Sequence, residues 1–120
     1  MASTRILLVE DDSALNRLIR RYLEQQGHSV NAFELGEDAW REFSANGDAY
    51  DLAIVDLTLP DLPGEVLVSR VRQSSPSTPV LIASGFTDPG TFRQDPRVSF
   101  LQKPFLPAAL AESVERALGG

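Results

Sequence analysis

The feature that most constrains this chain is an alternation of two hydrophobic periods. "RILLV" (5–9), "DLAIV" (51–55), "PVLIA" (79–83) and "VSFLQ" (98–102) are short continuous apolar runs, the pattern of strands buried on both faces. Between them, apolar residues recur at helical spacing. Leu15, Leu18, Ile19, Tyr22 and Leu23 predict a helix that Gly27 stops. "HSVNAF" (28–33) predicts an edge strand. Ala39, Trp40 and Phe43 predict a second helix closed by Gly47, and Val66, Leu67 and Val71 a third that ends before Pro76. Leu106, Leu110, Val114 and Ala117 line a final helix running out at Gly119 and Gly120. Strands alternating with helices imply an α/β fold: a parallel sheet with helices on both faces and ligands beyond the carboxyl ends of the strands. "GFTDPGTFRQDPR" (85–97) carries Pro89, Gly90 and Pro96, so a fourth helix there is reduced to a turn or two.

At 120 residues the chain reads as one domain, 1–120. Acidic residues outnumber basic ones 17 to 11, for a formal charge of −6, which argues against nucleic-acid and anionic-membrane surfaces. There is no cysteine, which excludes disulfides and thiolate metal sites. Ile6–Val9 is too short for a signal sequence or membrane span, so a cytoplasmic location is the expectation.

Polar residues gather at the predicted strand exits. Glu10, Asp11 and Asp12 follow the first buried run, Asp56 the second, Ser84 and Gly85 the third, and Lys103 and Pro104 the last. In a doubly wound sheet these tips lie side by side. Each residue has an ordinary reading: Asp12 before "SALNRL" is a helix N-cap, Ser84 a turn residue, Lys103 a surface lysine. Four such exits together are hard to attribute to capping. Two carboxylates ~4 Å apart repel by about 4 kcal/mol at an effective dielectric of 20. One lysine offsets part of that, and a hard divalent cation such as Mg²⁺ more. Metal, carboxylate, hydroxyl and lysine equip a site for phosphoryl transfer, with the carboxylate itself able to act as nucleophile.

The sequence here resembles the receiver domain of two-component response regulators over essentially its whole length. "LLVEDD" (7–12), "DLAIVDLTLPDLPG" (51–64), "PVLIAS" (79–84) and "FLQKPF" (100–105) match the family's motifs in order and spacing. The resemblance implies a flavodoxin-like five-stranded sheet of order 2-1-3-4-5. It implies that Asp56 accepts a phosphoryl group from the phosphohistidine of a histidine kinase or phosphotransfer protein. Asp11, Asp56, the backbone carbonyl of Thr58 and, through water, Glu10 would hold Mg²⁺ or Mn²⁺. Ser84 and Lys103 would bind the phosphoryl group, Lys103–Pro104 would be cis, and Phe100 would be a switch aromatic that turns inward with Ser84. The output would be a changed surface around the fourth helix, fifth strand and fifth helix, in a monomer or phosphorylation-dependent dimer, without further catalysis.

Two departures from the family pattern stand out. Phe100 lacks the hydroxyl of the Tyr often found there. The stretch from Ser84 to Lys103 is short and broken by prolines, resembling receivers that belong to or work with hybrid sensor kinases. Thr58 and Phe86 fall where receivers tune dephosphorylation, and Phe86 as an apolar lid would lengthen the life of the adduct. His28 reads as a surface or edge-strand residue, Trp40 and Phe43 as helix packing, and Asp51, Asp61, Asp88 and Asp95 as turns and caps. Two other functions remain open: a Mg²⁺-dependent phosphatase or mutase using an aspartyl phosphate, and a phosphate-silent interaction module. Against the first, the residue two after Asp56 is Thr58 and not a general acid, and no cap domain is expected within residues 1–120.

Overall fold

The computed structural model describes residues 4–85, 92 and 94–119. Five strands, β1 (Arg5–Val9), β2 (Ser29–Phe33), β3 (Leu52–Val55), β4 (Val80–Ser84) and β5 (Val98–Gln102), form one sheet. Its order is β2-β1-β3-β4-β5 and every pairing is parallel. Among the described residues there are four α-helices: α1 (Ser13–Gln25), α2 (Gly36–Asn46), α3 (Gly64–Ser74) and α4 (Pro107–Ala117). None is long and apolar enough to cross a membrane. The reduced fourth helix expected within 85–97 falls largely outside the described residues, as do Phe86 and Asp88.

Side chains alternate across each strand, so one apolar run feeds two cores. Ile6 and Leu8 of β1, with Leu52 and Ile54 of β3, face Ile19 and Leu23 of α1 and Leu110 and Val114 of α4. Leu7 and Val9, with Ala53 and Val55, face Ala39 and Phe43 of α2 and Leu67, Val68 and Val71 of α3. Burial on both faces is why the strands read as continuous runs. β2 is an edge strand, as its weaker pattern predicts, and only Val30 in it is fully covered. Trp40, Phe43 and Tyr50 form a stacked row, with ring centroids 6.3 and 6.1 Å apart, so Trp40 and Phe43 serve packing.

The helix ends follow their local chemistry. The Asp12 carboxylate accepts from the Ala14 and Leu15 N–H groups at the start of α1, the capping role its position predicts. At the other end Gly27 adopts φ +97°, a left-handed conformation open to glycine at little steric cost. Asp61 caps α2 from a distance: its two carboxylate oxygens accept from the Gly36 and Glu37 N–H groups, each at 2.9 Å. Asp95 is more than a turn residue. Arg72 of α3 holds it at 2.8 and 3.3 Å and also donates to the Pro76 and Thr78 carbonyls, so one guanidinium ties the α3–β4 loop to the entry of β5. That bond to Arg72 holds the Asp95 carboxyl below its usual pKa.

Three apolar residues do not sit where their spacing places them. Leu18 is 63% exposed, and the buried stripe of α1 is Asn16, Ile19 and Leu23. Val66 is exposed beside buried Leu67 and Val68, and Leu106 precedes α4 at its N-cap, 75% exposed. Beside Leu18 and Val66 the neighbouring Ile19 and Leu67 take the buried place, and beside Leu106 it is Phe105 that packs, half-buried, against the core.

Gly64 opens α3 directly against the exit of β3. A Cβ there would lie 2.4 Å from the Asp56 carbonyl oxygen and 2.4 Å from the Leu57 Cα, both backbone atoms that cannot swing aside. Gly64→Ala is therefore expected to destabilise the protein by about 1–3 kcal/mol. Gly85→Ala, where nothing lies within 4 Å of the added carbon, is the control and should be near neutral. Urea unfolding of the two variants checks this.

Candidate functional site

The order β2-β1-β3 means the chain leaves β1 toward one side of the sheet and β3 toward the other. A crevice opens at the carboxyl ends of those two strands, where ligands bind in folds of this kind. Val9 pairs with Val55, and the Asp56 N–H donates to the Val9 carbonyl at 2.9 Å. Glu10 and Asp56 therefore emerge side by side. Both are nearly inaccessible to solvent, at 2% and 4%, while Asp11 is exposed at the rim.

From the far side of the sheet, Lys103 follows β5 and reaches across. Its ammonium lies 2.5 Å from Glu10 Oε1 and 3.3 Å from Asp56 Oδ2. The peptide between Lys103 and Pro104 is cis. The Lys103 N–H donates to the Ser84 carbonyl at 2.7 Å, which joins the ends of β4 and β5. Ser84 is buried as the last residue of β4. The remaining carboxylate oxygens are also engaged: Glu10 Oε2 accepts from the Asp12 N–H at 3.1 Å, and Asp56 Oδ1 from the Thr58 N–H at 3.1 Å.

Burial sets the electrostatics. It pushes the Glu10 carboxyl up to about 7, against the lowering effect of its bonds from Lys103 and Asp12, and the nearby Asp56 charge pushes the same way. Burial would lower the Lys103 ammonium, but the hydrogen bond and charge of Glu10, reinforced by Asp56, outweigh it and raise its pKa. Ligand oxygens of Glu10, Asp11 and Asp56 lie within 4.8 Å of one another. Three carboxylates face one ammonium there. An all-oxygen set with surplus negative charge suits a hard divalent cation such as Mg²⁺ and not a nitrogen- or sulfur-seeking one.

The expected residues Glu10, Asp11, Asp56 and Lys103 thus meet in one pocket, with Ser84 joined to it through the backbone of Lys103. Thr58 is exposed next to Asp56 and turns its N–H toward that carboxylate. Phe100 is half-buried on β5, packed against the core beneath α2 and α3. Phe86, expected as a lid, lies outside the described residues. Sequence reasoning passed over Asn16. Its buried carboxamide donates to the Glu10 carbonyl at 2.9 Å and the Phe33 carbonyl at 3.0 Å. The signal was present: Asn16 stands three residues before Ile19, on the buried face.

A carboxyl held above its unfolded pKa favours folding most when protonated. In metal-free buffer the contribution of Glu10 is full below pH 4.5 and is lost as pH rises through about 7. The loss is expected to be about 1–2 kcal/mol once solvent screening is allowed for. Glu10→Gln should flatten stability over this window, as followed by urea unfolding at pH 5 to 8. A wild-type curve that does not fall across it contradicts the assignment.

Comparison with known proteins agrees with this geometry. The family model for the response regulator receiver domain matches residues 6–115. The transcriptional regulatory protein CssR of Bacillus subtilis is 32% identical over 97% of this chain and 52% of its own length. The virulence transcriptional regulatory protein PhoP of Salmonella typhimurium is 36% identical over 84% of this chain and 46% of its own. The chain thus spans about half the length of these relatives. The solved receiver domain of the hybrid histidine kinase CckA is 32% identical, with a TM-score of 0.83 over 95% of this chain and 98% of that one. A CheY-like receiver domain from Methanospirillum hungatei matches the fold at a TM-score of 0.89 and 23% identity, over 98% of this chain and 94% of that one. With the crevice, its acids and its lysine in place and the family model spanning nearly the full sequence, the chain belongs to the response regulator receiver domains.

Proposed function

We propose that this receiver domain is a phosphorylation-controlled switch in which Asp56 is the phospho-acceptor, in a reaction that depends on Mg²⁺ or Mn²⁺. The observation that carries this reading is the meeting of Glu10, Asp11, Asp56 and Lys103 at the carboxyl ends of three strands, with metal-ligand oxygens within 4.8 Å of one another. The donor is a phosphohistidine on a histidine kinase or phosphotransfer protein. An Asp56 carboxylate oxygen attacks phosphorus, the P–N bond breaks, and its electron pair leaves on the imidazole nitrogen.

Glu10, Asp11 and Asp56, with the Thr58 carbonyl, would hold the cation, which when bound neutralises charge on the transferring group. Lys103 exchanges its contact with Asp56 for one with the phosphoryl oxygens, and the Ser84 hydroxyl donates to another. Because the Lys103 N–H is bonded to the Ser84 carbonyl, the two groups move on one backbone unit. Their rearrangement alters the neighbouring surface: the 85–97 segment, β5 with Phe100, and α4. The domain has no catalytic output beyond assisting formation and hydrolysis of its own adduct.

Incubation with phosphoramidate and Mg²⁺, read by intact-protein mass spectrometry, tests this. A single-site adduct that requires Mg²⁺ and vanishes in Asp56→Asn is expected. Turnover of a phosphorylated substrate would favour the phosphatase reading, and no adduct would favour the phosphate-silent module. In metal-free buffer Asp56→Asn should be as stable as wild type or more so, because it removes one of the repelling charges. Mg²⁺ at ten times its dissociation constant should stabilise the wild type by ~1.4 kcal/mol, visible as a higher melting temperature. Lys103→Ala should still form the adduct, but the adduct should leave the backbone amide spectrum around β5 and α4 unchanged.

A further inference from the structure

The geometry points to Asn16 as a positioning residue that sets the metal affinity of the Glu10–Asp11 pair. This inference rests on the reading of that crevice as a Mg²⁺ site, and goes beyond it by assigning a role to a residue that touches neither metal nor phosphate.

Asn16 lies in the first half of α1 on the helix's buried face, and is 5% exposed. A side-chain amide with two N–H donors at such a place costs free energy unless both are satisfied. Both are. One donates to the Glu10 carbonyl at 2.9 Å and the other to the Phe33 carbonyl at 3.0 Å. The Phe33 carbonyl also accepts from the Glu10 N–H at 3.0 Å. Asn16 therefore clasps the ends of β1 and β2 just where the ladder stops and the acidic loop begins.

The residue it holds is the one whose position matters. The backbone of Glu10 is fixed on both sides, its N–H by Phe33 and its carbonyl by Asn16. Its side chain carries Lys103, and the next residue is the exposed Asp11. Among the described residues no strand partner fixes Asp11. Its direction follows from the peptide plane it shares with Glu10, and that plane is set by the carbonyl Asn16 grips. Local bonds at Asp12, whose N–H donates to Glu10 Oε2 and whose carboxylate caps α1, complete a short arc from Glu10 to Asn16. Removing the carboxamide leaves the Glu10 carbonyl without that donor and lets the arc rotate. Outer partners of this kind alter metal affinity by about 10- to 100-fold when lost.

The test uses Asn16→Leu, which keeps the volume and removes both donors, and Asn16→Ala. Val114→Ala, in the core beneath α4, is the stability-matched control. Mn²⁺ binding is followed by the electron paramagnetic resonance of the free ion. Both Asn16 variants should bind about tenfold more weakly or worse, and the control should stay within about twofold of wild type. With phosphoramidate, the Mg²⁺ concentration for half-maximal phosphorylation should rise in step, while the rate at saturating Mg²⁺ holds within about threefold. In metal-free protein, ¹⁵N relaxation should show the Asp11 and Asp12 amides more mobile in the variants. Wild-type Mn²⁺ affinity in folded Asn16 variants overturns the inference and leaves the Mg²⁺ site standing. Equal weakening in Val114→Ala, or failure of both Asn16 variants to fold, assigns Asn16 to stability alone and overturns it. Absence of Mn²⁺ binding and of an adduct in the wild type removes the site itself and the inference with it.

Discussion

Two carboxylates, Glu10 and Asp56, are held almost out of contact with water at the ends of the two central strands, with one ammonium between them. Charge in such a place is tolerated only when paired and hydrogen-bonded. The sheet meets that requirement from its full width. Lys103 comes from the far edge, Asp12 and Thr58 supply backbone N–H groups, and the four carboxylate oxygens of the two acids each have a donor. The arrangement is compensated but not neutral, because Asp11 adds a further charge at the rim. The surplus negative charge of Glu10, Asp11 and Asp56 makes this pocket a candidate cation site.

The loops that carry these groups are fixed by contacts remote from them. Gly64 lets the start of α3 rest on the backbone of Asp56 and Leu57, a distance no side chain permits. Asp61 binds the same loop to the first turn of α2, and the bonds from Glu37 and Gly36 hold its carboxyl below the usual range. Asn16 does for the β1 exit what these two do for the β3 exit. Asp56 and the other candidate ligands thus stand on segments braced from opposite faces of the sheet.

The region beyond β4 is organised differently. The crossover to β5 is anchored at its far end, where Arg72 grips Asp95 and the Asp95 carboxylate in turn accepts from the Arg97 N–H at 2.9 Å. This anchor lies at the opposite end of the sheet from Ser84 and Lys103.

How much of this was legible in the sequence depends on the range of the forces involved. Strand and helix positions were, because burial on both faces writes itself as apolar runs and coverage by helices as a 3.6-residue period. The acids at the exits of β1 and β3 and the lysine after β5 were legible once the sheet was parallel, since topology alone brings those tips together. The rotation of α1 was not. Leu15 and Leu18 suggested one apolar face, but the helix turns Leu18 to solvent and buries Asn16, whose amide donates to two strand-end carbonyls. Local pattern records which residues avoid water. Unsatisfied backbone groups exist only once strands from distant parts of the chain have ended beside each other. The sequence by itself determined the sheet, its helices and the identity of the charged cluster. Only the tertiary structure decided which acid Lys103 grips most closely, that burial raises Glu10 to about 7, and which buried amide holds the loop between them.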